Sequence, residues 1–217
     1  MKIGVIVAMD KELEQLRAVM GGDEGTIGNK HVIANKCGIG KVNAAVGTEL
    51  MILQHKPDLV VSTGVAGGAD AGMNIADVVV GSECRYHDVY CGSDSEPGQI
   101  IGLPAAFSAP ASLVDKALAV GDSTTQVHKG LIVSGDWFVD TPQKMQSILS
   151  VFPEAKAVDM ESCAIAQVCY MHGTPFISFR IISDIPLKHD NTRQYFDFWE
   201  RIADGSFAVT KRFLETI

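Results

Sequence analysis

Short apolar runs rich in β-branched residues alternate along this chain with segments whose apolar residues recur at helical spacing. This alternation is typical of a mostly parallel sheet wrapped by helices, because each helix carries the chain back to begin the next strand. The runs predicted as strands are residues 3–8, 31–35, 59–62, 77–85, 130–134, 157–158 and 176–182. The segments predicted as helices are residues 11–20, 40–55, 142–149 and 161–171. The pattern therefore predicts an α/β fold.

Two further features complete the predicted organisation. In the helix predicted over 40–55, the periodicity assigns four side chains to the core: Val42, Val46, Leu50 and Leu53. A helical stripe near the end of the chain is predicted to lie over the sheet: Phe198, Ile202, Val209 and Phe213. Residues 91–110 carry several Gly and Pro and are predicted as a long loop, which in a compact domain is often functional. With no linker or repeat, residues 1–217 are expected to form one domain.

Composition narrows the class of partner. The formal net charge of −8 disfavours a nucleic-acid backbone, so a small-molecule ligand is expected. No apolar run approaches the roughly 20 residues that a membrane-spanning helix needs. Five cysteines, an odd number without repeated spacing, favour reduced thiols and a cytoplasmic location. Cys84, His87 and Cys91 have a tolerable metal-ligand spacing but lack a fourth ligand, so no metal is predicted.

The residues that best indicate chemistry are acids at the ends of predicted elements. Glu12 follows the first strand, Asp159 and Glu161 flank the start of a helix, and Asp184 lies just beyond the strand 176–182. In open α/β sheets, ligands bind beyond the carboxyl ends of the strands, so Glu12 and Asp184 are expected to converge there. A purely structural role as helix caps or dipole partners is the alternative for each acid taken singly.

Seven short blocks carry a family resemblance. They are, in chain order, Ala8-Met9-Asp10-Lys11-Glu12, Gly38-Ile39-Gly40-Lys41-Val42, Ser62-Thr63-Gly64-Val65-Ala66-Gly67-Gly68, Arg85-Tyr86-His87-Asp88, Gly130-Leu131-Ile132-Val133-Ser134-Gly135-Asp136, Val158-Asp159-Met160-Glu161 and Arg180-Ile181-Ile182-Ser183-Asp184. In these blocks the chain resembles the bacterial methylthioadenosine/S-adenosylhomocysteine nucleosidases, which belong to the nucleoside phosphorylase superfamily. The resemblance implies a three-layer α/β/α domain with a central mixed, partly closed sheet. It also implies an adenine thionucleoside substrate, no cofactor, and a homodimer in which the loop 98–107, including Pro104, completes the neighbour's pocket.

The resemblance also assigns roles to individual residues. Asp184 matches the general acid, Glu12 the carboxylate that positions water, and Arg180 the residue that orients Glu12 and the water. Phe138 matches the ring that stacks on adenine, and the backbone of Val139 the group that reads the base edge. Glu161 with Met160 matches the ribose-binding pair, and Ala66 and Gly67 would line the base and ribose pocket. Ser183 is a further candidate for substrate binding. An apolar slot for the sulfur-bearing 5′ tail is expected from Met9, Ile39 and Phe196.

These residue types suit cleavage of an N-glycosidic bond. Such cleavage leaves an oxocarbenium-like sugar, which nearby negative charge stabilises. Adenine leaves poorly as an anion, so a protonated acid must deliver a proton to its ring. Asp184 would therefore have to be protonated near neutral pH, which burial and neighbouring carboxylates can bring about.

The sequence leaves several alternatives open. Val65 stands where many relatives have Ser, Asp159 replaces the usual Glu, and the segment 185–199 follows the family poorly. A nucleoside phosphorylase would use phosphate, but Ser62 stands where phosphorylases of this superfamily usually carry Arg. A related nucleosidase that acts on aminodeoxyfutalosine would share the catalytic residues. A nucleoside-binding sensor without chemistry would be expected to lose one of the three acids.

Overall fold

The computed structural model describes residues 1–123, 125–188, 191–201 and 207–217. The strands within these ranges are β1 (Lys2–Val7), β2 (Glu24–Ile27), β3 (Lys30–Lys36), β4 (Leu59–Gly68), β5 (Val78–Tyr86), β6 (Phe107–Ser108), β7 (Val127–Ser134), β8 (Ala155–Asp159) and β9 (Phe176–Asp184). The helices are α1 (Asp10–Met20), α2 (Lys41–His55), α3 (Ala111–Leu118), α4 (Pro142–Leu149), α5 (Ser162–His172), α6 (Asn191–Arg201) and α7 (Ala208–Thr216). Every strand and helix predicted from the sequence is present among them.

The sheet is mixed and partly closed, as the resemblance implied. β4 pairs in parallel with β9, β9 pairs antiparallel with β5, and β5 pairs in parallel with β7. β7 then pairs in parallel with β8, which returns antiparallel to β4, so these five strands form a closed ring. β1 pairs in parallel with β4 and β3 and extends the sheet outwards. The prediction of an α/β fold with a nucleoside phosphorylase-like sheet is confirmed.

The core-facing side of α2 is opposite to the one predicted. Val42, Val46, Leu50 and Leu53 are exposed, whereas the buried residues of the helix are Ala44, Gly47, Thr48, Met51 and Ile52. The physical reason is close packing, since a Cβ on Gly47 would lie only 2.4 Å from Cβ of Cys37. The small residues Ala44 and Gly47 therefore lie on the buried face together with Met51 and Ile52, and the four apolar residues that were assigned to the core form an exposed apolar face instead.

Among the described residues, three short elements were not predicted from the sequence, and the apolar residues predicted as one helical stripe near the end of the chain lie on two helices. β2 and α3 were not anticipated, and β6 lies inside the segment 91–110 that was predicted as loop. Phe198 lies on α6, while Val209 and Phe213 lie on α7, and all three are buried. Ile202 lies outside the described residues. Nowhere in the described ranges is there a helix long and apolar enough to cross a membrane.

Candidate active site

A cavity of about 110 Å³ opens where several strands end at the same edge of the sheet. Segments that follow β1, β3, β7 and β8 reach it, together with the last residues of β4 and β9. Its lining residues are Ala8, Met9, Glu12, Ile39, Val65, Ala66, Gly67, Trp137, Phe138, Val139, Val158, Asp159, Met160, Glu161, Ser183, Asp184 and Tyr195. Glu12 and Asp184, which were expected to converge, both line this cavity, and Glu161 lines it with them.

Glu12 is held by the backbone. It occupies the first turn of α1, where its Oε2 accepts hydrogen bonds from the N–H groups of Ala8 (2.8 Å) and Met9 (2.9 Å). Its Oε1 accepts a third bond, 2.9 Å long, from the N–H of Val65 in β4. Burial raises the pKa of Glu12, against the opposing effects of Arg180 and these amides. The three amide bonds fix the orientation of the carboxylate at the cavity wall.

Glu161 is the second buried acid. Its Oε1 accepts a hydrogen bond of 2.9 Å from the N–H of Gly40, and its Oε2 lies 4.0 Å from Nη2 of Arg180. Burial raises its pKa to about 7, the charge of Arg180 opposes this rise, and the charge of Asp159 adds to it. The backbone can donate to Glu161 because Gly40 adopts a positive φ of 91°, a conformation that glycine tolerates best.

Arg180 lies beneath the cavity rather than in its wall. The side chain is 1% exposed, and its Nε lies 2.8 Å from Oδ2 of the equally buried Asp159. Its other nitrogens donate to the hydroxyl of Ser62 (2.8 Å) and the carbonyl of Thr63 (3.2 Å). Its charge acts on Glu12 from this position. Arg180 is therefore suited to positioning and charge balance, not to direct contact with a ligand.

Asp159 does more than start a helix. Its Oδ1 accepts a 2.5 Å bond from the hydroxyl of Ser134, and its Oδ2 accepts a bond from the hydroxyl of Ser162 as well as pairing with Arg180. The hydroxyl of Ser162 is also bonded to that of Ser178 at 2.7 Å. These contacts satisfy the polar atoms around one buried cation. The sequence marked Asp159 as an acid at an element end and as a departure from the family, but it did not predict this pairing with Arg180.

Asp184 is the acid best suited to donate a proton. Burial raises its pKa to about 6, against the opposing effects of hydrogen bonds from Ser183 and Asn191. The hydroxyl of Ser183 donates to Oδ1 of Asp184 at 2.7 Å. A carboxyl group with such a pKa is partly protonated near neutrality and can act as a general acid.

The aromatic wall differs in part from the prediction. Phe138 and Trp137 both line the cavity, and the ring of Trp137 also contacts His87 edge-on at 5.4 Å. Phe196, predicted for the tail pocket, is 58% exposed and is not among the lining residues; its neighbour Tyr195 lines the cavity instead. The two rings are adjacent on α6, and the sequence carried no signal for choosing between them because the segment 185–199 follows the family poorly.

The other predicted site residues fall into two groups. Those that line the cavity as expected are Met9, Ile39, Ala66, Gly67, Val139, Met160 and Ser183. Pro104 is half-buried in the segment between β5 and β6 and does not reach the cavity within this chain. Among the described residues, no group of three His, Cys, Asp or Glu side chains is placed to hold a metal ion, and this includes Cys84, His87 and Cys91.

A network of polar contacts fastens together the loops that carry the cavity walls. The Nζ of Lys41 lies 2.7 Å from Oδ2 of Asp88, and the backbone N–H of Lys41 donates to Oδ1 of Asp136 at 2.8 Å. The N–H of Asp136 in turn donates to Asp88 at 2.9 Å. The loop bearing Ile39 and Gly40 is thus tied to the loop bearing Phe138. The blocks that contain these three residues were recognised in the sequence, but their mutual contact was not predicted.

Comparisons with known proteins agree with this geometry. A family model described as the phosphorylase superfamily matches residues 2–215. A 5′-methylthioadenosine/S-adenosylhomocysteine nucleosidase of an Exiguobacterium species is 41% identical over 230 aligned positions, which cover 98% of this chain and 98% of the relative. A crystal structure of the nucleosidase of that name from Neisseria meningitidis, in complex with methylthio-immucillin-A, is 34% identical with a TM-score of 0.92. That match covers 100% of this chain and 99% of the other.

A structure of futalosine hydrolase from Helicobacter pylori is also similar, at 29% identity and a TM-score of 0.90, covering 100% of this chain and 98% of that one. The relatives named as nucleosidases share more of the sequence over the same span. The cavity walls carry the acids expected of such an enzyme. The chain belongs to the 5′-methylthioadenosine/S-adenosylhomocysteine nucleosidase family of the phosphorylase superfamily.

Proposed function

We propose that this protein hydrolyses the N-glycosidic bond of 5′-methylthioadenosine and S-adenosylhomocysteine, releasing adenine and the corresponding thioribose. The observation that carries the proposal is the convergence of three buried acids, Glu12, Glu161 and Asp184, in one cavity with an aromatic ring beside them. Their environments differ, because Glu12 accepts hydrogen bonds from three backbone amides, whereas the groups that bond to Asp184 are side chains. Two carboxyl groups with different environments are what separate acid and base roles require.

In the proposed mechanism, the purine stacks on Phe138 and its edge meets the backbone of Val139. The proton on Asp184 passes to N7 of the purine ring as the glycosidic bond breaks, so that adenine leaves as a neutral molecule. The developing oxocarbenium ion is stabilised by the negative charge of Glu12 and Glu161. Glu161 accepts hydrogen bonds from the ribose hydroxyls, and Glu12 aligns the water that adds to the anomeric carbon and takes up the proton that this water releases. Arg180 positions the two glutamates from below.

Water rather than phosphate is the proposed nucleophile. Among the described residues, no lysine or arginine lines the cavity, and Arg180 is already paired with Asp159 beneath it. A phosphate-binding site would need cationic donors converging on the nucleophile position. The uncharged Ser62 is itself a hydrogen-bond partner of Arg180.

The expected result is phosphate-independent release of adenine from methylthioadenosine. Adenine and the sugar product are measured by chromatography with and without phosphate, and the sugar is expected as free methylthioribose. A rate proportional to phosphate, with the sugar released as its 1-phosphate, would identify a phosphorylase instead. Tight binding without any turnover would identify a nucleoside sensor. The same assay is run with aminodeoxyfutalosine, because the similarity to futalosine hydrolase makes that nucleoside the second candidate substrate.

We also propose that the protein acts as a homodimer. The outward face of α2 carries four exposed apolar side chains: Val42 (74% exposed), Val46 (55%), Leu50 (45%) and Leu53 (57%). A contiguous apolar face of this kind is typical of a surface that a partner covers. Its proposed occupant is a second copy of the chain, and the loop 98–107 with Pro104 is proposed to complete that copy's pocket.

Val46→Glu is expected to weaken this association, because it would place a charge in the centre of the apolar face. Sedimentation velocity at micromolar concentration should show a dimer for the wild-type protein and a shift towards monomer for the variant. Val151→Glu is the matched control, since Val151 is also exposed (50%) but follows α4, away from the α2 face. A wild-type protein that sediments as a fully active monomer would disprove both the dimer and the role of Pro104.

A further inference from the structure

Tyr195 contributes a hydroxyl group to the cavity that the mechanism above does not use. Of the described residues that line the cavity, two carry a hydroxyl group, Ser183 and Tyr195. The hydroxyl of Ser183 is committed to Asp184 at 2.7 Å. The hydroxyl of Tyr195 instead donates to the thioether sulfur of Met9, at 3.6 Å.

That contact is one that a ligand can replace. A thioether sulfur is a weak hydrogen-bond acceptor, and a methionine side chain has several rotatable bonds with which to move aside. A tyrosine hydroxyl in a half-buried position normally finds a partner. Burial raises the pKa of Tyr195 against the opposing effect of a hydrogen bond from Trp199, and the charges of Glu12 and Asp184 add to the rise, so the group remains a proton donor.

The position of the Tyr195 ring is well defined by its neighbours. The ring meets Phe138 edge-on, with centroids 5.6 Å apart. The helix that carries it is anchored through the buried Phe198 and through Gln194, whose side-chain carbonyl accepts a 3.0 Å bond from the N–H of Ile185. Tyr195 therefore stands between the wall proposed for the base and the side chain of Met9.

This placement coincides with the space left for the 5′ substituent. With the purine at Phe138 and Asp184 and the ribose at Glu161, Met9, Ile39 and Tyr195 are among the lining residues left for the 5′ substituent. A substrate thioether that displaces Met9 brings the same functional group that Tyr195 already contacts in Met9. Its sulfur can accept the hydrogen bond that Met9 gives up, whereas a hydrocarbon group of the same size would leave the hydroxyl without that acceptor.

We propose that Tyr195 is a specificity-determining residue whose hydroxyl donates a hydrogen bond to the sulfur atom at the 5′ position of the substrate. The inference rests on the proposed function and deepens it. It means that the enzyme distinguishes a 5′ thioether from an equally large hydrocarbon group by a specific contact, in addition to burying apolar surface.

The test compares two substrates that differ only at the sulfur. Methylthioadenosine and 5′-deoxy-5′-ethyladenosine, in which a methylene replaces the sulfur, are assayed with the wild-type protein and with Tyr195→Phe. The ratio of kcat/KM for the thioether to kcat/KM for the hydrocarbon is expected to fall about two- to threefold in the variant, the lower end of the contribution of one neutral hydrogen bond, because a thioether sulfur is a weak acceptor. Tyr90→Phe is the matched control, because Tyr90 is 82% exposed and lies outside the cavity wall.

The outcomes separate the two claims. If the wild-type protein releases adenine from methylthioadenosine and Tyr195→Phe leaves the ratio unaltered, the role of Tyr195 is wrong and the proposed function stands. If the wild-type protein releases adenine from neither compound, the proposed function fails and the inference fails with it. A ratio that falls equally in Tyr90→Phe would also overturn the inference, since the effect would not then come from the cavity.

Discussion

Asp184→Asn is expected to lower kcat by about 10²–10⁴-fold, the usual contribution of a general acid. The substitution keeps the shape of the side chain, and its amide oxygen can still accept the bond that Ser183 donates to Asp184 at 2.7 Å. What it removes is the transferable proton, because a carboxamide does not ionise in this range. The measurement is single-turnover release of adenine, after circular dichroism has established that the variant is folded.

Two controls separate loss of the acid from loss of the site. Adenine affinity, measured by calorimetry, should change far less than kcat, since the stacking on Phe138 and the backbone contacts persist. Asp115→Asn makes the same chemical change at an exposed position on α3 and should retain wild-type kcat. A folded Asp184→Asn protein with near wild-type kcat would show that the proton comes from another group, and the assignment of the acid would be wrong.

The pH dependence provides a second readout of the same group. Because the acid must be protonated to act, the active form of Asp184 is present below its pKa of about 6 and is lost as the pH rises through that value. For the wild-type protein, kcat/KM is therefore expected to decline above about pH 6, since this parameter reports the groups of the free enzyme. In Asp184→Asn this alkaline decline should disappear along with most of the rate.

The positions of the strands along the chain and the convergence of Glu12 and Asp184 could be predicted from the sequence. Glu12 and Asp184 each follow a run that reads as a buried strand, and the carboxyl ends of parallel strands meet at one edge. That rule needs only the positions of the strands, so it placed both residues correctly in one cavity. It carried no information about the protonation of either acid, because this depends on burial and on neighbours that are distant in the chain.

Which face of α2 is buried could not be predicted from the sequence. Both of its faces are largely apolar, so periodicity alone cannot decide which one meets the sheet. The buried face is the one that allows α2 to approach its neighbours closely, because Gly47 packs directly against Cys37 and a side chain at this position would collide with it. Which of Tyr195 and Phe196 lines the cavity could not be predicted either, because this depends on the rotation of α6 about its own axis. Details of packing, rather than patterns of hydrophobicity, determine both.

Arg180→Met is expected to reduce the free energy of unfolding by about 3–5 kcal/mol, the usual cost of removing one partner from a buried ion pair. Arg180 and Asp159 are each 1% exposed and lie 2.8 Å apart, with Glu161 a further neighbour at 4.0 Å. Methionine fills part of the volume but leaves these carboxylates without their cation. Urea denaturation measures the loss, and Arg193→Met is the control, because Arg193 pairs with Asp197 at a side-chain exposure of 78% and should change stability little.

The loss of unfolding free energy in Arg180→Met should also depend on pH, whereas a loss caused only by the smaller volume of the side chain would not. Without the cation, the folded-state pKa values of Glu161 and Glu12, which burial raises and the charge of Arg180 lowers, rise further above their unfolded values. A group with a raised folded-state pKa contributes stability that is fully present below the unfolded pKa and is lost as the pH rises through the folded one. The deficit relative to wild type is therefore expected to be larger at about pH 8 than at about pH 5. A deficit of the same size at both pH values would mean that Arg180 stabilises the fold by packing alone, and its role in balancing the charge of Glu12 and Glu161 would then have no support.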